Sequence, residues 1–287
     1  MINRLTIIGV GLIGGSLALA LKNARTVGRI VGYSRNLAHL QKAAELGVID
    51  AYETEIGAAV RDADVIVLAA PVGSTLAILQ SIKPHLSAQT IITDVGSSKG
   101  AVVQAAQQVF GDALTNFVPG HPIAGTEKSG VEAAFPSLFQ KRRVILTPLE
   151  TTDANAVRIV RDMWRQTGAL VEQTSVEHHD HVLAATSHLP HMLAFALVDA
   201  LATLDDKAEI FRFAAGGFRD FTRIASSDPQ MWHDICVTND KAIVAMLDVF
   251  MADLERLRNA INSGDSDYLL QVFTRAKKAR DQFSMES

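Results

Sequence analysis

The amino-acid sequence predicts an α/β domain on a doubly wound parallel sheet over residues 1–172, followed by an all-α domain over 173–287. Three observations carry this. Short β-branched runs alternate with helical stretches through the first 172 residues, as a parallel sheet with crossover helices requires. One run, Val65-Ile66-Val67-Leu68-Ala69-Ala70, is apolar at every position, which marks a central strand covered on both faces. After about Thr174 the strand signal stops and apolar residues recur at helical spacing.

In chain order, the predicted strands are Leu5–Ile8, Ile30–Tyr33, Val65–Ala69, Thr90–Asp94, Phe117–Val118, Val144–Thr147 and Leu170–Glu172. Between them lie helical patterns at Ile13–Lys22, Leu37–Leu46, Thr75–Ile82, Gly100–Val109 and Asn155–Gln166. The second half reads as long amphipathic patterns over 176–204, 229–262 and 266–283, with Met246, Val249, Phe250, Leu254 and Leu257 keeping one face. Asp228-Pro229 is a helix start, with Asp as cap and Pro in the first turn.

At 287 residues the chain has room for two domains of roughly 150 residues each. Apolar residues at 48% exclude a disordered chain, because their burial offsets the entropy of ordering. Lys+Arg 27 against Asp+Glu 31 leaves no basic excess to neutralise a phosphate backbone, so nucleic acid is not an expected partner. Cys236 is the sole cysteine, which excludes an internal disulfide and fits a reducing, cytoplasmic compartment. The uncharged stretch Leu5–Leu21 has the length of a signal core or short membrane span. Gly9, Gly11, Gly14 and Gly15 interrupt it and no small-residue cleavage site follows, so it reads as strand, turn and helix.

That turn is Gly9-Val10-Gly11-Leu12-Ile13-Gly14, a G-x-G-x-x-G between strand and helix. The first glycine makes the turn, the second lets a pyrophosphate approach the backbone, and the third lets helix pack on strand. The helix amides then face the phosphates. The placement predicts a Rossmann-type dinucleotide site, with Gly9, Gly11, Leu12, Ile13 and Gly14 at the cofactor and Ala70-Pro71 at the end of the central strand opposite. The second strand ends Tyr33-Ser34-Arg35-Asn36, where an NAD site usually carries an acid for the ribose 2′-hydroxyl. A hydroxyl and a guanidinium suit a 2′-phosphate instead, so Ser34, Arg35 and Asn36 point to NADP over NAD.

Two further loops leave the predicted strands at the ligand-binding edge. Gly120-His121-Pro122-Ile123-Ala124-Gly125-Thr126-Glu127 pins a histidine between glycine and proline. Asp94-Val95-Gly96-Ser97-Ser98-Lys99 runs from strand to helix, with Ser97 either a helix cap or a hydroxyl facing the nicotinamide. Five histidines (His178, His179, His181, His188 and His191) fall within 14 residues, yet no H-E-x-x-H pattern or cysteine accompanies them, so no metal is expected. In Gly216-Gly217-Phe218-Arg219-Asp220-Phe221-Thr222-Arg223, an arginine among apolar residues calls for an anion: a substrate carboxylate, or Asp220 or Asp228 within the chain.

Gly120–Gly130, Ser187-His188-Leu189-Pro190-His191 and Gly216–Pro229 with Trp232 beyond, together with the glycine turn and Asp94–Lys99, resemble prephenate/arogenate dehydrogenases over nearly the whole chain. The resemblance implies oxidative decarboxylation of a cyclohexadienol in tyrosine biosynthesis, with hydride passing to NAD(P). It implies that His121 accepts a hydrogen bond from the substrate hydroxyl and that Ser97 helps to hold both. It places Arg223 on a substrate carboxylate, His191 and Thr126 along the pocket, Trp232 as a wall, and Glu127 and Asp180 as acids at the entrance. It also implies a homodimer through the helical domain, with the Gly216–Asp220 loop reaching the partner's site. Because the helices finish by 283, neither a fused chorismate mutase segment nor a regulatory domain is expected. The rivals are a 3-hydroxyacid- or imine-type NADP dehydrogenase, which would rely on a lysine absent before Lys207 in the second half, and a non-catalytic NADP(H) sensor.

Overall fold

A computed structural model describes residues 2–286 apart from Ala113 and Glu127, with side chains as far as Gln282. The first half alternates β1 (Ile2–Ile8), α1 (Leu12–Ala24), β2 (Val27–Tyr33), α2 (Leu37–Glu45), β3 (Ala51–Glu53), α3 (Ile56–Val60), β4 (Val65–Leu68), α4 (Thr75–Ile82), β5 (Ile91–Asp94), α5 (Lys99–Phe110) and β6 (Phe117–Val118). All six strands pair in parallel, in the order β3-β2-β1-β4-β5-β6. This is the doubly wound order, whose reversal between β1 and β4 opens a crevice at the strands' carboxyl ends.

Period-two alternation splits each central strand between two cores. Leu5, Ile7, Val65 and Val67 pack on one face with Leu17 and Leu21 of α1. Ile8, Ile66 and Leu68 pack on the other with Leu79 of α4 and Val102 of α5. Each fully buried aliphatic side chain contributes about 1.5–3 kcal/mol, which is why an all-apolar β4 specifies the centre of the sheet.

The chain then departs from one continuous sheet. β7 (Gly120–Pro122), β8 (Arg143–Leu146) and β9 (Leu170–Gln173) form a separate three-stranded sheet, with β7 antiparallel to β8 and α6 (Ala154–Arg165) before β9. His121 was expected in a loop; it sits within β7, opposite Ile145. Strand β3 was not expected either, since Ala-Tyr-Glu has no β-branched residue.

From 176 the chain is helical: α7 (Val176–Leu183), a π turn (Ala184–His188), α8 (Leu189–Ala202), α9 (Lys207–Arg212), α10 (Gly216–Thr222), α11 (Pro229–Thr238), α12 (Asp240–Ser263) and α13 (Ser266–Glu286). Asp228 caps α11 through Met231 N at 2.8 Å, as its sequence position suggested. The expected single pattern 229–262 is broken at Asn239, whose side chain is drawn inward and buried. Among the described residues, Val176–Ala202 is the one stretch long and apolar enough to cross a membrane, and 22% of its most apolar window is buried.

By proximity the chain forms two compact units, residues 1–240 and 241–287. In the second, α12 ends at Gly264 (φ +69°), and Asp265 accepts from Tyr268 N at 3.0 Å to cap α13.

Candidate active site

The crevice between β1 and β4 is a cleft of about 850 Å³ lined by Gly9, Gly11, Ser34, Arg35, Asn36, Ala70 and Pro71, with His39 beside them. Gly9 has φ +98°, and a Cβ there would lie 2.4 Å from Ala69 O, so only glycine makes this turn. Gly11 has no protein atom within 4 Å of where a Cβ would be, so the cleft reaches the bare backbone at the amino end of α1. No side chain caps that end, which leaves the first amides of a 13-residue helix for an anion. These features fit a dinucleotide. Gly14 faces inward instead: a Cβ there would lie 2.3 Å from Gly9 O, so its role is packing. Leu12 and Ile13 do not line the cleft and pack against the core. The Asn36 side chain is committed to the backbone, accepting from Ala38 N and His39 N as the cap of α2.

His121 is 9% exposed, and its Nδ1 lies 2.9 Å from Nε2 of His179. His179 Nδ1 in turn lies 2.8 Å from Asp180 Oδ1. The Asp180 carboxylate also accepts from Lys99 N and Gly100 N, each at 2.8 Å, and so caps α5 from another element. Burial pushes the Asp180 pKa up, but the hydrogen bonds from His179 and the two amides hold it below the ordinary value. Behind β7, the fully buried Lys99 pairs with Asp94 and donates to Gly120 O at 2.6 Å, while Gly120 N donates to Asp94 Oδ1 at 3.1 Å. This clamp fixes the strand that carries His121. Burial, followed by the fields of His179, Lys99 and His188, lowers the His121 pKa well below 6.5 and keeps the ring neutral.

The π turn brings the helical histidines together. At about 100° per residue, His179 and His188 would stand roughly 180° apart on an uninterrupted helix. The residue inserted by the π turn removes about 100° of that. His188 is buried, with Nδ1 3.1 Å from Nδ2 of Asn239, and burial takes its pKa down to about 4. The Asn239 amide also donates to Asp180 O at 3.0 Å, tying α11 to α7. His188 meets Trp232 edge-on at 6.1 Å, and His191 stacks on the same indole at 3.8 Å. Burial lowers the His191 pKa, opposed by the Ser187 carbonyl and reinforced by the positive charge of nearby Arg223. Ring contacts therefore join His188, Trp232 and His191, while His121 feels the field of His188 and His191 that of Arg223.

Of the residues singled out from the sequence, His121, His191, Trp232 and Arg223 thus converge. Ser97 is half-buried, and among the described residues it makes no hydrogen bond; His179 holds His121 in its place. Ser97 does not cap α5 either, since Asp180 supplies that acceptor. Asp180 is accordingly an internal anchor and not an acid at the entrance. Thr126 is exposed and its hydroxyl turns to the backbone of Lys128. Glu127 lies outside the described residues. Arg223 is exposed, so it was not drawn inward as its apolar neighbours suggested. His179, Lys99 and Asn239 were missed as site residues: residue type alone does not mark which His, Lys or Asn will be used, and their partners here lie 58, 21 and 51 residues away in the chain. Among the described residues, no group of three or more His, Cys, Asp or Glu is arranged to hold a metal ion.

Residues 17–173 match the family model for the prephenate dehydrogenase nucleotide-binding domain, and 175–275 that for the prephenate dehydrogenase dimerization domain. The cyclohexadienyl dehydrogenase of Zymomonas mobilis is 42% identical over 281 residues, covering 96% of this chain and 94% of that protein. The crystal structure of Aquifex aeolicus prephenate dehydrogenase with hydroxyphenyl propionate and NAD+ superposes with a TM-score of 0.92 at 37% identity, covering 99% of each chain. Synechocystis arogenate dehydrogenase follows at 0.83 and 30%, covering 98% of this chain and 99% of that one. Sequence and fold thus agree, and the chain belongs to the prephenate dehydrogenase family.

Proposed function

We propose that this protein oxidatively decarboxylates prephenate, arogenate or both, serving tyrosine biosynthesis. The observation that supports this reading best is the neutral, buried imidazole of His121 linked through His188, Trp232 and His191 to Arg223. The nicotinamide, when bound, accepts the hydride from C4 of the ring. His121 Nε2 accepts a hydrogen bond from the 4-hydroxyl and stabilises the positive charge that grows on that oxygen as hydride departs. The ring carboxylate leaves as CO2, its bonding pair enters the ring, and the hydroxyl keeps its proton in the phenol. Arg223 receives a substrate carboxylate through its planar fork, Trp232 and His191 wall the ring, and Ser97 and Thr126 complete the pocket when substrate is present.

In this reading residues 1–172 bind the dinucleotide and 173–287 form the helical domain. The ends of the two family matches, at 173 and 175, support that boundary. NADP is preferred over NAD: Ser34 and Arg35 line the cleft at the end of β2, where an acid would repel a 2′-phosphate. The dimer forms through the helical domain, whose Leu197, Phe213, Val249, Met251 and Leu254 remain well exposed in a single chain. Val176–Ala202 belongs to a cytoplasmic protein without a membrane or nucleic-acid partner, because Asp180 and His179 tie it to α5 and β7. One assay tests the reading: reduction of NAD and of NADP with each substrate, by the natural protein and by Arg35→Asp. Turnover of at least one substrate supports the activity, and a selective loss of NADP affinity in the variant supports the cofactor preference. No reduction with either substrate overturns the first, and an unmoved NADP affinity the second.

A further inference from the structure

We propose that Asp180 and His179 are positioning residues that fix the tautomer of His121, placing its proton on Nδ1 and leaving Nε2 as the acceptor for substrate. This deepens the reading of His121 given above and rests on it. Lys99 N and Gly100 N can only donate, so the Asp180 carboxylate accepts from both, at 2.8 Å each. A carboxylate held ionised by two amides accepts again at Oδ1, so the proton between it and His179 sits on Nδ1 of that imidazole. In this assignment the Nε2 of His179 carries the lone pair. At 2.9 Å the one group that can donate to it is Nδ1–H of His121. The His121 Nε2 therefore carries the free lone pair. Among the described residues it makes no protein hydrogen bond, and it is not shut off from solvent.

The polarity of the relay thus originates in a helix N-terminus and is transmitted through two rings to the reacting edge. An isolated imidazole does not settle on one tautomer without such help, and the wrong one would present an N–H to the substrate hydroxyl and lose the acceptor. The titratable and charged groups facing His121 are His179 and Asp180 of α7, His188 of the π turn, and Lys99 of α5 with its partner Asp94 of β5. The helical segment 176–188 is therefore part of the catalytic apparatus as well as of the scaffold.

The direct test is 15N nuclear magnetic resonance of the full-length protein labelled at its histidine rings, with the His121 signals identified by their loss in His121→Asn. At neutral pH the His121 Nε2 is expected to be of the unprotonated type and Nδ1 of the protonated type. The reverse pattern, or a mixture of both, overturns the proposal whatever the activity. The kinetic test compares His179→Gln with His179→Leu. A glutamine oxygen can still accept from His121 while its amide donates to Asp180, so kcat is expected to stay within about 5-fold. Leucine fills similar volume without an acceptor, and kcat is expected to fall by about 10²-fold or more with KM changed less than 3-fold, in the sense of other tautomer-setting partners. Equal losses in the two variants, or a better leucine variant, would show packing alone and overturn it. If the resonance result holds while neither cyclohexadienol is turned over, the substrate assignment fails and the tautomer assignment stands.

Discussion

At the scale of single residues, the proposed reaction divides its chemistry between two side chains. Desolvation first, then the fields of His179, Lys99 and His188, push the His121 pKa well down and favour the neutral ring. His121→Asn removes the acceptor while leaving the cleft 9–11 untouched. Turnover is expected to fall by about 10²–10⁴-fold with dinucleotide affinity unchanged, as read by steady-state kinetics and by fluorescence titration of the reduced cofactor. Arg223 is the proposed binding group. Arg223→Ala loses a charge-assisted hydrogen bond, so KM for the cyclohexadienol is expected to rise about 10- to 100-fold with a much smaller change in kcat. An unmoved KM would remove the carboxylate from this residue.

At the scale of elements, the glycine turn separates two jobs that one motif conceals. Gly11 borders open cleft, whereas Gly14 is pressed against the Gly9 carbonyl and Ile7. Gly11→Ala should stay within about 1 kcal/mol of the parent in stability while weakening dinucleotide binding at least about tenfold, because the new methyl occupies the approach of the pyrophosphate. Gly14→Ala should lower stability by about 1–3 kcal/mol and affinity with it. Thermal unfolding and cofactor titration of the pair distinguish the two roles; equal behaviour would contradict the geometry. The α7–π–α8 segment shows the same economy: its π turn lies between His179 and His188, and beyond it His188 and His191 meet the same Trp232 ring.

At the scale of the whole molecule, the buried histidines make stability depend on pH. The folded pKa of His188, about 4, lies below its ordinary 6.5, so between those values the unfolded chain binds a proton that the folded chain excludes. Stability therefore rises with pH across that window and is lost as pH falls from 6.5 towards 4, by on the order of 3 kcal/mol for this group. His121 acts in the same direction. Asp180, whose pKa is lowered, contributes stability that is lost as acid finally protonates it. Urea midpoints at pH 7.5 and 5 should fall accordingly, and His188→Gln should flatten the slope; a parent midpoint independent of pH would contradict the burial of these rings.

Features that depend on short-range pattern were legible in the chain alone. The all-apolar run 65–70 specified a central strand, three glycines at fixed spacing specified the phosphate turn, and loss of period two after Thr174 specified helices. The pinned histidine and the arginine in the Gly216–Pro229 stretch were legible as candidates, because side-chain type and local backbone already limit what such groups can do. How those groups are held emerged from long-range packing. It moved His121 from a loop into a strand of a second sheet, and it turned Asp180 from an entrance acid into a helix cap. It also supplied His179, Lys99 and Asn239, whose partners lie 21 to 81 positions away. The physical reason is that a hydrogen bond across such distances depends on the packing of whole elements, which no local run of residues encodes.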